Sequence, residues 1–192
     1  MPIVGQFGSL AGLGSLILPG GAMESIATVT VGSGGAANAD FQDIPGTYQH
    51  LQLRMILRTA RSDANLDGFY LRMNNDSGSN YASHYLYGTG ASALAGASTS
   101  GVGGQFHRAP GTNATASVFG GVVIDILDYA NTSKNTTARY LGGADLNGSG
   151  EIFIGSHVWL STSAVTRLTV SSLNAVNLLQ HSTVALYGIK AP

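Results

Sequence analysis

The run Val122-Val-Ile-Asp-Ile-Leu is the longest apolar stretch of the chain, broken only by Asp125. It is followed by a polar segment, Ala130 to Asn135, and by a second extended stretch, Thr136 to Leu141. Two such runs around an Asn/Ser/Lys turn predict a β-hairpin, and Val118 to Asp145 is the unit around which the rest of the chain is organised. Side chains alternate between the two faces of a strand. Val122, Ile124 and Ile126 therefore share one face, and Val123 and Leu127 fall on the other. A strand apolar on both faces is buried on both, or is buried on one and meets another subunit with the other.

The same period of two recurs along the chain. Tyr48 to Arg58 places Leu51, Leu53, Met55 and Leu57 on one face and Gln52, Arg54 and Arg58 on the other, with Ile56 as the exception. Phe69, Leu71 and Met73 alternate with Tyr70 and Arg72, and Ser83, Tyr85 and Tyr87 alternate with His84 and Leu86. Further strands are expected at Ile26–Val31, Ile152–Leu160, Val165–Leu173 and Thr183–Ile189, with His84 and His157 facing outward. Ala91 to Gly104 is uncharged, small-residue sequence with little to bury, which predicts a long surface loop. No segment carries an apolar period of 3.6 residues. Eight or nine strands with frequent turn signals predict an all-β protein, a jelly-roll-like antiparallel β-sandwich. The expected organisation is an N-terminal arm over residues 1–25 and a sandwich domain over residues 26–192.

The chain has 192 residues, enough for one domain with a sizeable core. Only 10% of them are charged and the formal net charge is −1, with nine Lys and Arg residues scattered along the chain. This balance gives no broad attraction to nucleic acid or to an acidic membrane. Cysteine is absent, so disulfides and thiolate metal sites are excluded. Residues 1–22 are apolar but interrupted by Gly8, Gly12 and Gly14, and they lack the basic start and continuous apolar core of a secretory signal. They are also too short to span a bilayer. The segment reads as a flexible arm; because Phe7, Leu10, Leu13, Leu16, Ile17 and Leu18 are poor residues to leave in water, the sharper expectation is that the arm docks on a partner.

Chemistry-bearing patterns are sparse. The chain has two glutamates, Glu24 and Glu151, and the alternation of the central strand gives Asp125 no partner carboxylate for glycoside hydrolysis. Asp125 reads as a structural acid, satisfied by an arginine or by loop amides. Five histidines show no metal-ligand spacing, and no G-x-S-x-G elbow is present. Asp145, Asn147, Ser149 and Glu151 alternate in the manner of a calcium loop, but the segment is too short for an EF-hand and reads as a tight turn. Five N-x-S/T triplets carry no inference of glycans in a chain without a secretion signal. Tyr81, Tyr85, Tyr87 and Trp159 would make a sugar-stacking platform if they were exposed together. No catalytic residue, metal or cofactor is expected, and the chain reads as non-enzymatic.

Four pieces in this order resemble small virion structural proteins of tailed bacteriophages: IPGTYQHLQLRMILRTAR (Ile44–Arg61), NNDSGSNYASHYLYG (Asn74–Gly88), VIDILDYANTSKNTTARYLGG (Val123–Gly143) and VALYGIK (Val184–Lys190). The resemblance implies a β-sandwich on the particle surface, made in the host cytoplasm and assembled as a homotrimer. It implies major capsid or tail proteins as neighbours and offers no catalytic motif. Within that family, a single small domain favours a capsid decoration or cement protein. A tail fibre or tail-appendage adhesin that binds a host-surface glycan is the alternative.

Overall fold

The computed structural model describes residues 21–191. These form twelve β-strands: β1 (Met23–Thr30), β2 (Asn38–Phe41), β3 (His50–Leu57), β4 (Leu66–Met73), β5 (Tyr81–Gly88), β6 (Ala93–Gly101), β7 (Gly104–Pro110), β8 (Gly120–Leu127), β9 (Thr136–Asp145), β10 (Gly150–Trp159), β11 (Leu168–Ser172) and β12 (Thr183–Ile189). Eight of them make one sheet in the order β1-β12-β3-β8-β9-β10-β5-β6, and four make a second in the order β2-β11-β4-β7. Every pairing is antiparallel. The two sheets enclose one core, so the all-β antiparallel sandwich expected from the alternation is what the chain forms.

The period of two explains which side each strand buries. From the large sheet, Leu51, Leu53 and Leu57 of β3 and Ile124 and Ile126 of β8 are fully buried. Phe69, Leu71 and Met73 of β4 and Leu168 and Val170 of β11 meet them from the small sheet. Phe69 and Phe106 stack with centroids 5.2 Å apart, and Phe106 reaches Tyr140 of β9 at 6.3 Å, tying one sheet to the other. Arg58, at the end of β3, is 7% exposed. Its guanidinium donates to the carbonyls of Ala114, Thr115 and Val118, fixing the loop that leads into β8.

The β8/β9 hairpin lies at the centre of the large sheet, with Asp125 opposite Arg139. Its turn is closed by Asn131 N–H donating to the Asp128 carbonyl at 2.9 Å, by Ser133 N–H donating to Asn131 Oδ1 at 2.8 Å, and by a Lys134–Asp128 ion pair.

Several expectations need correction. Ala91–Gly104 is no loop: most of it is β6, an edge strand paired with β5. Its small residues suit that place, since a Cβ on Gly96 would come within 2.4 Å of the Tyr85 ring. The short strands β2 and β7 were also not foreseen, because neither carries a clear alternation. The arm boundary at residue 25 falls inside β1, which starts at Met23. Glu24 belongs to the sheet, accepting from Tyr48 Oη at 3.2 Å and pairing with Lys190. The arm residues Phe7, Leu10, Leu13, Leu16, Ile17 and Leu18 lie outside the described residues.

Candidate interaction face

Among the described residues the outer face of the large sheet is open, and its central strands present aliphatic side chains there. Residues directly opposite one another on neighbouring antiparallel strands share a face. One such row runs Val123 (β8), Leu141 (β9), Ile154 (β10) and Leu86 (β5). These side chains are 37%, 55%, 54% and 50% exposed. Two residues further along the strands, Ile56 of β3 and Ile152 of β10 flank a floor made by Gly121 and Gly143. Ile56 and Ile152 are 55% and 66% exposed. Together the six present on the order of 500 Å² of apolar surface, near the upper end of what a lone chain leaves in water.

Shallow grooves run on both sides of Leu141. One, of about 410 Å³, is lined by Ile56, Val123 and Ala185 among others, and the other, of about 320 Å³, by Leu86, Ile152 and Ile154. The second apolar face of the central strand is thus present and, among the described residues, uncovered. Ile56, the exception in its strand's alternation, is part of the same surface.

A polar row borders the patch, formed by Gln52, Asp125, Arg139, Ser156 and His84 in direct register. Asp125 accepts a hydrogen bond from Gln52 Nε2 at 2.8 Å. Its partner is therefore a neighbouring strand's amide, where an arginine or loop amides were expected. Arg139 is exposed and, among the described residues, makes no ion pair with the Asp125 beside it. Arg54 is drawn away from the patch, donating to Gln52 Oε1 at 2.8 Å with its guanidinium over the Tyr187 ring.

The tyrosine platform does not form as a unit. Tyr81 and Trp159 are 0% and 3% exposed and stack on each other inside the sandwich, so neither offers a ring to a sugar. Burial pushes the Tyr81 hydroxyl up to about 12, and Trp159 Nε1 donates to Asp76 at 2.7 Å. That bond, with donors from Asn80 and the Gly78 amide, holds the Asp76 carboxyl below its ordinary range. Tyr85 and Tyr87 are only partly buried, and their rings are tilted at 6.2 Å. Tyr85 lines a cleft of about 520 Å³ at the mouth between the sheets, with Arg61, Asn65, Gln105, Arg108 and Asn174. The Arg108 guanidinium also lies over the Tyr87 ring at 5.9 Å.

The remaining sequence candidates are structural. His84 is exposed, but His157 points inward and is 2% exposed, against the outward position expected. The reason is that β10 buries its aromatic positions, Phe153, His157 and Trp159, and turns Ile152 and Ile154 to the outside. Both ring nitrogens of His157 lack a hydrogen-bond partner among the described residues, and burial lowers its pKa to about 4. Asp145 to Gly150 is a tight turn, with Leu146 N–H donating to the Ser149 carbonyl and Asn147 in the left-handed region at φ 61°. Glu151 is buried with its carboxylate 4.0 Å from Arg108, away from any calcium-like arrangement. No group of three metal-ligating side chains converges among the described residues.

Comparison with known proteins returns no matching family model, no matching curated protein and no matching solved structure.

Proposed function

We propose that this protein is a non-enzymatic structural component of a tailed-bacteriophage particle, a decoration or cement protein that works by assembling with copies of itself and with shell proteins. The observation that carries the assembly half of this reading is the open apolar row on the large sheet. Six aliphatic side chains in register on a rigid sheet are stable in water only at a cost that a partner removes. The particle half rests on the resemblance of four segments to virion structural proteins. Residues 1–20, apolar and uncharged, supply a second attachment to the neighbouring shell protein.

Binding of the purified protein to shells stripped of it tests this directly. Deleting residues 1–20 is expected to abolish shell binding and leave the melting curve of the sandwich unchanged, because β1 begins after the deletion. Normal shell binding by the truncated chain would contradict the role given to the arm.

The cleft beside Tyr85 favours a second reading, a tail-appendage adhesin that holds a host-surface glycan between Tyr85, Arg108 and the amides of Gln105 and Asn174. On that reading a glycan array gives a saturable signal that Arg108→Ala removes. Absence of binding to any array glycan or to host cells would count against it.

A further inference from the structure

We propose that the outer face of the large sheet pairs with the same face of a second copy about a two-fold axis parallel to the strands, placed between β8 and β9. The inference goes beyond the particle reading and does not depend on it, since such a pair would form in solution wherever the protein comes from. A two-fold contact is self-complementary: what lies on one side of the axis must fit what lies on the other.

This face meets that condition row by row. The order β12-β3-β8 on one side of the axis is answered by β5-β10-β9 on the other. In the apolar row, Val123 then meets Leu141 of the second copy. In the next row Ile56 meets Ile152 of the second copy, and Gly121 meets its Gly143, letting the two backbones approach. In the polar row Gln52 meets Ser156 of the second copy and Asp125 meets its Arg139.

Charge gives the independent support. Asp125 and Arg139 lie side by side yet form no ion pair in the single chain, and the two-fold gives each an opposite charge across the interface. The one mismatch would be Arg54 over Ile154 of the second copy, and Arg54 is already turned away onto Gln52 and Tyr187.

Area agrees as well. The apolar patch with its polar border approaches the roughly 800 Å² per partner of a standard stable interface. It has the usual anatomy of an apolar centre and a polar rim. Two twisted sheets also pack face to face with their strands nearly aligned, as this axis requires. A cyclic three-fold would bring two different patches together and leave the mirror pairs unmade.

Sedimentation equilibrium of the full-length chain at micromolar concentration tests this. The wild type is expected at twice its 19.7 kDa chain mass. Leu141→Asp and Arg139→Asp should each weaken association by at least ~10-fold, since each sets an unpaired or like charge against the other copy. The double variant Asp125→Arg/Arg139→Asp should restore the dimer. Leu141 and Arg139 are exposed, so thermal melts of the variants should match the wild type and exclude misfolding. A wild-type monomer at 100 times that concentration, a trimer, a dimer indifferent to Leu141→Asp, or a double variant that stays apart would each overturn the proposal. A monomer in which Leu141→Asp exposes residues 1–20 to protease would assign the face to the arm instead, and likewise overturn it.

Discussion

His157 shows how a single residue sets a property of the whole fold. Its ring is enclosed by Gly104 of β7, where a Cβ would come within 2.5 Å, and lies 6.0 Å from the Tyr140 ring. Ser83 and Ala138 flank it on the neighbouring strands, and the Tyr140 hydroxyl is itself buried without a partner among the described residues. Burial disfavours the charged ring, so the folded protein keeps the imidazole neutral down to about pH 4. In the unfolded chain the same ring protonates near its ordinary pKa of about 6.5. The unfolded state therefore binds the proton first. Stability is complete above about pH 6.5 and declines as the pH falls toward 4, by on the order of 3 kcal/mol from this group. Thermal melts between pH 7 and 4 should show this loss, and His157→Leu should flatten the slope in that window. An unchanged slope in the variant would place the acid sensitivity elsewhere.

At the scale of elements, β6 is the instructive case. It buries no large apolar side chain, Leu94 being 43% exposed, and what holds it is its ladder to β5 and the Tyr85 ring lying over Gly96. A Cβ at Gly96 would lie 2.4 Å from that ring. Gly96→Val should thus displace Tyr85 and destabilise the protein by about 1–3 kcal/mol, measurable by urea denaturation. Raised hydrogen exchange should be confined to the Ala93–Gly101 segment and the strand beside it. Such a strand is not legible in sequence, because alternation reports burial and an edge strand of small residues with a single exposed leucine, Leu94, buries little. The orientation of β10 was hidden for a related reason. Isoleucine and aromatic residues alternate along it, and either set could line a core, so the choice is made by what faces it across the sandwich. By contrast β3, β4, β8 and β12 were legible, since most of their inward positions are large and apolar. The patch was partly visible, in the two-sided β8 run and in the anomalous Ile56. Its assembly with three further strands, β9, β10 and β5, is a matter of pairing over long sequence separation, which a local pattern does not encode.

The described residues form an asymmetric sandwich: a four-stranded sheet covers the inner side of an eight-stranded one, and among them the outer side of the larger sheet is left bare at its centre. With only 10% charged residues the chain has little to discourage association through that surface. Assembly is the function we propose for this architecture. The most direct measurement is the density for this chain in an intact tailed-phage particle, obtained by electron cryomicroscopy. The account predicts surface density into which copies fit in pairs, their β8/β9 hairpins facing each other across a two-fold with Leu141 buried. Particles without this chain, or copies whose large-sheet face is open to solvent, would contradict it.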